Sequence, residues 1–306
     1  MREFVIPLAT GLAIFLFGMQ VLRIGLHALT GERMRYWLHQ FTQTPFISFM
    51  TGLISTAVLQ SSSAVTVLAI GLVNSGALHF SRCIGLILGT NLGTCITTEL
   101  LAFSVEDYTV TLLLAGALCW LMPSHILRFT GLALGGLGCI FLGMQTMESV
   151  ARSFDQLGML EFFSAYDSVG WGVVTWTLLT AIIQSSSAAV ALLMGLYSVK
   201  AVSLTFALAA VLGSNVGTCI TAWIASVGGN RTGKQVAMAH LLINVAGLVA
   251  FYPLITWLSD WIALTGLSRH AQIAHFQTGF NLVSALALLP FCSFIARVVR
   301  FLIPDR

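Results

Sequence analysis

Long apolar runs alternate with short polar breaks along the whole chain. The runs cover roughly 4–29, 83–103, 108–122, 129–150, 201–226, 235–257 and 276–298. Most reach the ~20 residues with which a helix crosses a ~30 Å hydrocarbon core. Two more apolar stretches, 46–78 and 170–199, are each split by a polar tetrapeptide, Gln60-Ser61-Ser62-Ser63 and Gln184-Ser185-Ser186-Ser187. Their halves of about 11–15 residues amount to roughly 16–23 Å as helix, too short to cross. Each stretch therefore predicts a helical hairpin that enters the membrane, turns near mid-depth and leaves on the side it entered. The pattern as a whole predicts an all-α polytopic membrane protein with about seven full spans and two re-entrant hairpins.

The polar breaks repeat. Gln184 follows Gln60 by 124 residues. A second break, Gly89-Thr90-Asn91-Leu92-Gly93-Thr94, returns as Gly213-Ser214-Asn215-Val216-Gly217-Thr218 at the same spacing. Phe15-Leu16-Phe17-Gly18-Met19-Gln20 returns as Ile140-Phe141-Leu142-Gly143-Met144-Gln145, shifted by 125. Each copy reads as a span, a hairpin tipped by Gln-Ser-Ser-Ser, and a span expected to unwind where Gly adjoins Asn and Thr. Three crossings separate the starts of the two units, and an odd number makes the second unit inverted with respect to the first. Inverted repeats that meet near the midplane are an architecture of secondary transporters. The chain divides on this reading into 1–122, the first repeat with a connecting span, and 123–306, the second repeat with two further spans. Those last spans carry Ala239-His240 with Asn244 and Ala274-His275 with Asn281.

Composition agrees with the membrane reading: 57% of the residues are hydrophobic and 8% charged, against about 25% charged in a soluble domain. The net charge of +3 is spread thinly, which excludes nucleic acid as a partner. The six cysteines lie in apolar segments without a CxxC pair and read as small buried hydrophobes. No metal-ligand spacing, carboxylate pair or P-loop is present, so no cofactor is expected. The N-terminal run lacks a small-residue cleavage site and reads as a retained span. Positive charge sets the orientation. With the C-terminus inside and the N-terminus outside, Arg33, Arg35, Arg82, Arg128, Arg231, Lys234, Arg297, Arg300 and Arg306 lie on the cytoplasmic side of the cytoplasmic membrane. Arg2, Arg152, Lys200 and Arg269 lie outside, with Glu106, Asp107, Asp155, Glu161 and Asp167. Arg23 is expected to snorkel to the inner interface, and Glu99 and Glu148 to reach water near the outer ends of their spans.

An unpaired polar group in hydrocarbon costs several kcal/mol, so three hydroxyls and an amide at each tip must find partners. The first serine can cap the second half-helix, whose N-terminal N–H groups suit an oxyanion. The preceding half-helix ends in free carbonyls, which with hydroxyl and amide oxygens suit a hard cation such as Na⁺. Two tips from opposite sides can enclose one site.

These residues resemble the type II sodium–phosphate cotransporter family. The resemblance rests on both QSSS tetrapeptides, the paired Asn-x-Gly-Thr breaks and the His/Asn stretches near 239–244 and 274–281. It implies symport of inorganic phosphate with Na⁺ as coupling ion. Gln60, Ser61, Ser62, Ser63, Gln184, Ser185, Ser186 and Ser187 would contact the two ions, with Thr66, Asn91, Thr94, Asn215 and Thr218 as further ligands and Na⁺ on a subset. Thr66 has Val190 as its counterpart, so the first tip is the better sodium candidate. Regulation is left to a separate protein, and the oligomeric state is open. Other readings are a phosphate or related oxyanion exporter, a passive anion channel, and an intramembrane serine hydrolase built on Ser61 or Ser185 with His240 or His275.

Overall fold

The computed structural model describes residues 2–76, 78–103, 108–149 and 167–304, without the side chains of 2–5 and 31–40. The charges expected of Arg2, Arg33, Arg35, Glu106, Asp107, Arg152, Asp155, Glu161 and Arg306 fall outside what is described. The described residues are helical throughout: α1 (Arg2–Gln40), α2 (Pro45–Leu59), α3 (Ser62–Asn74), α4 (Phe80–Ala102), α5 (Thr109–Trp120), α6 (His125–Ser149), α7 (Val169–Ile183), α8 (Ser186–Ser198), α9 (Leu204–Ser226), α10 (Arg231–Phe251), α11 (Ile255–Ala263), α12 (Arg269–Leu288) and α13 (Cys292–Leu302). The bounds of α7, α8 and α9 equal those of α2, α3 and α4 shifted by 124 residues.

The short elements are made by caps and turns. Thr44 accepts the Ile47 N–H at the start of α2, with Pro45 in the first turn, and Ser168 does the same for α7 through the Trp171 N–H. Gln60 and Gln184 close α2 and α7 in the left-handed region, at φ 51° and 59°, where a side chain is rarely found. Ser61 and Ser185 then cap α3 and α8 by accepting from the N–H of Ala64 and Ala188, so each polar tetrapeptide ends one helix and starts the next.

The third elements of the repeat correct an expectation. Helices α4 and α9 run unbroken through Asn91 and Asn215. Their polar side chains are satisfied inside the helix: Thr94 donates to Thr90 O at 2.9 Å and Thr218 to Ser214 O at 2.9 Å. The glycines serve approach, not unwinding. A Cβ on Gly85, Gly89 or Gly93 would collide with the carbonyl oxygens of Pro45, Phe49 and Leu53, so α2 lies backbone to backbone along α4 in the same sense. Gly213 and Gly217 meet Val173 and Thr177 of α7 in the same way. Small residues permit this close packing, which supplies association where no hydrophobic drive exists between helices.

Helices α1 and α6, the counterparts shifted by 125, run antiparallel. Gly11 abuts Gly143, Gly18 abuts Gly136 and Ile140, and Gly25 abuts Phe129 and Ala133. Since Gly136 and Gly143 are themselves the counterparts of Gly11 and Gly18, the contact maps onto itself under a local two-fold.

Among the described residues, six helical segments have the length and hydropathy of a span: Ile6–Thr30, Phe80–Ala102, His125–Ser149, Leu204–Ser226, Arg231–Ala263 and Arg269–Leu302. The span expected over 108–122 is the 12-residue α5, about 18 Å long and short of a hydrocarbon core. It lies antiparallel on α6, with Gly116 against Gly131 and Gly135, and Gly138 against Leu113. Val110, Leu114 and Leu118 form its exposed stripe.

The last two spans are a repeat of their own. A 3₁₀ turn at Tyr252–Leu254 joins α10 to α11, and one at Leu289–Phe291 joins α12 to α13, each carrying the proline that interrupts a helix. The shift is 37 residues. It sets Asn244 against Asn281 and Gln235 against Gln272, and pairs His240 with Gln277 and not with His275. The similarity of the two Ala-His dipeptides is therefore not structural.

Candidate functional site

Both tips open on one small cavity of about 50 Å³, lined by Gln60 to Ser63, Gln184 to Ser187, Thr56, Thr94, Thr97 and Arg23. Two segments 124 residues apart thus share a single polar chamber. Its position follows from the packing of α2 on α4 and α7 on α9, which carries each left-handed turn to the far end of its glycine contact.

Gln60 is buried and held three ways. Its carbonyl oxygen accepts from Arg23 Nε at 2.9 Å, its Nε2 donates to Ala57 O at 2.6 Å, and its Oε1 accepts from Thr97 Oγ1 at 2.5 Å. Arg23 therefore reaches into the chamber from α1 instead of snorkelling to an interface, which corrects the expectation for it. A guanidinium half-buried beside polar tips is a fixed positive charge in a site otherwise made of neutral groups. Sequence reasoning also passed over Thr56 and Thr97. Their helical spacing from Gln60 and from Thr94 was visible, but threonine in an apolar run carries no signal of its own.

Thr66, Asn91, Asn215 and Thr218 do not line the chamber. Thr66 is buried with a hydroxyl that meets no partner. The two asparagines sit in a symmetric lattice instead. Asn91 Nδ2 donates to Asn244 Oδ1 at 2.7 Å, and Asn244 Nδ2 to Cys219 Sγ at 3.1 Å. In the mirrored half, Asn215 Nδ2 donates to Asn281 Oδ1 at 3.0 Å and Asn281 Nδ2 to Cys95 Sγ at 3.4 Å. Each C-terminal span thus ties α4 to α9 through one amide that bonds both repeats.

The carboxylates expected near water have histidine partners. Glu99 accepts from Thr278 Oγ1 at 2.5 Å and pairs with His275 at 2.9 Å, and Glu148 pairs with His270 at 2.8 Å. His240 is buried with neither ring nitrogen bonded. Neither His240 nor His275 bonds a tip serine, so a Ser–His nucleophile is not assembled.

Among the described residues, no group of three His, Cys, Asp or Glu side chains is placed to hold a metal. A multi-span helical protein with two polar tips meeting inside it has the architecture of a membrane carrier. The chain belongs to the Na⁺/Pi-cotransporter family, which it matches over residues 14–149 and 161–287. That is a family of phosphate transporters, not enzymes. The chain is 37% identical over 294 residues to the uncharacterized protein YqeW of Bacillus subtilis, covering 95% of this chain and 96% of that one. It is 25% identical over 302 residues to YjbB of Escherichia coli K12, whose name proposes inorganic phosphate export. The match takes in 97% of this chain but 55% of YjbB, so the chain spans about half the length of that relative. Sodium-dependent phosphate transport protein 2B of Rattus norvegicus is 35% identical over 80 residues, 25% of this chain and 12% of that protein. No solved structure shows significant similarity to the chain.

Proposed function

We propose that the protein is a secondary transporter that moves inorganic phosphate with Na⁺ across the cytoplasmic membrane, alternating access to a midplane site between its two QSSS tips. The observation that carries the reading is the single chamber: both tetrapeptides and one arginine converge there, and the family and its named relatives handle phosphate. The N-termini of α3 and α8 aim their first N–H groups at the chamber, which favours an oxyanion. Ser62, Ser63, Ser186 and Ser187 offer hydroxyls to its oxygens, and Arg23 offsets part of its charge. Phosphate at neutral pH carries more than one negative charge, so a single arginine leaves a deficit that Na⁺ fills. Carbonyl oxygens at the end of α7, hydroxyls and the Gln184 amide are the oxygen ligands a hard cation prefers. The Gln60 carbonyl is already claimed by Arg23, and Thr66 lies away from the chamber. The sodium preference therefore moves from the first tip to the second.

The orientation consistent with this reading keeps the N-terminus outside and the C-terminus inside, with the first tip entering from the cytoplasm and the second from outside; it takes the short α5 as the seventh pass, a course supported by its antiparallel packing on α6. Direction follows the gradients, so export is the same machine run in reverse. Labelled phosphate in proteoliposomes tests the proposal. Uptake is expected to follow an imposed Na⁺ gradient and to reverse with it, and Gln60→Ala is expected to abolish it. Flux of equal rate without Na⁺ overturns the coupling and points to a passive anion path.

A further inference from the structure

The two tips match in sequence and in the left-handed turn but differ in how their glutamines are held. At the first, Gln60 is 6% exposed and is bonded by Arg23, Ala57 and Thr97. At the second, Gln184 is exposed to the chamber and its side-chain amide meets no partner. The residues that hold the first tip have counterparts at the second. Thr97 corresponds to Thr221, a buried threonine on α9 whose hydroxyl donates to Thr218 O at 2.9 Å, within its own helix. Arg23 corresponds to Glu148, which is turned to His270 and as an acceptor cannot hold a carbonyl oxygen. The second tip therefore has a free amide, an available partner one helix away, and no counterpart of the arginine anchor.

From this asymmetry we infer that the second tip is the moving gate and that Thr221 is the positioning residue that receives Gln184 when the site is loaded. The first tip is the fixed wall, pinned to α1 by Arg23 and to α4 by Thr97. Cargo in the chamber bridges Ser186 and Ser187 to the first tip and draws the α7–α8 turn inward. The Thr221 hydroxyl then turns from Thr218 O to Gln184 Oε1, reproducing the Thr97–Gln60 bond. A threonine hydroxyl exchanges a bond to its own helix for one to an amide at little net cost, so the closure is reversible. The single bond that forms selects the loaded state without trapping it.

The inference rests on the transport reading for its cargo, but its two tests separate the pair. Hydrogen exchange of the purified protein is followed over 184–188 and 60–64, without and with phosphate and Na⁺. Phosphate with Na⁺ is expected to slow exchange over 184–188 by about fivefold, the worth of one net hydrogen bond, and to leave 60–64 unchanged. Thr221→Val is expected to remove that slowing and raise the KM for phosphate by a similar factor with kcat little changed, while Thr221→Ser restores both. Equal slowing at the two tips, or a Thr221→Val protein that behaves as the unmodified chain, overturns the gate. If Thr221→Val does not fold, Thr221→Ala removes the same hydroxyl and is expected to give the same loss. Exchange over 184–188 that neither phosphate nor Na⁺ slows would instead count against phosphate as cargo, and against Thr221 as the residue that cargo brings into play.

Discussion

Arg23→Gln is expected to reduce phosphate flux by about a hundredfold and to shift Na⁺ activation to higher concentration. The guanidinium has two roles. Its Nε holds the Gln60 carbonyl at 2.9 Å, which fixes the first tip. Its charge faces a chamber in which the other lining side chains are neutral. A unit charge about 5 Å from an anion at an effective dielectric near 20 is worth roughly 3 kcal/mol, which is two powers of ten in an equilibrium. With the arginine gone, more of the anion's charge must be met by Na⁺, and the sodium requirement rises. Arg23→Lys keeps the charge but loses the fork that donates from Nε while facing the chamber, so an intermediate flux is expected. Initial-rate uptake at graded Na⁺ checks both variants. A sodium dependence that does not move in Arg23→Gln would remove the arginine from the site's electrostatics.

Gly89→Ala and Gly213→Ala are expected to destabilise the protein severely, each by about 1–3 kcal/mol or more, because overpacking here strikes backbone. The added carbon would collide with Phe49 O in one case and Val173 O in the other. Neither can yield without shifting α2 from α4 or α7 from α9, and both shifts displace a tip. Gly71→Ala is the contrast. Gly71 sits within α3 with nothing within 4 Å of a Cβ, so alanine there is expected to stabilise by roughly 0.5–1 kcal/mol through helix propensity. Thermal unfolding of the three purified variants in one detergent measures the difference. Equal melting temperatures would mean that the glycine contact does not carry the packing.

The contrast between the surroundings of Gly89 and Gly71 shows why the glycine pattern misled. Gly next to Asn91 and Thr94 reads along the chain as a point of weakness. In the fold those glycines are where a second helix lies against the first, and contact reinforces the helix where isolation would loosen it. The asparagines share the ambiguity. An amide in an apolar run must be bonded, but only tertiary contact decides whether it faces an ion or Asn244 and Asn281.

Much of the chain was nevertheless legible from order alone. Hydropathy marks membrane helices because lipid forbids unsatisfied backbone, and that constraint is local. The 124-residue repeat, the split apolar runs and the serine caps at Ser61 and Ser185 are properties of neighbouring residues, so they survive being read one position at a time. Residues far apart in the chain had to meet before the remainder was decided. Arg23 became a site residue only when α1 packed across the end of α2, and Glu148 became its unequal counterpart only when α6 met α12 at His270. The symmetry of the two tips was written in the sequence. Their inequality was made by what the tertiary structure set beside each, because a hydrogen bond depends on the distance between two groups and the chain order does not contain it.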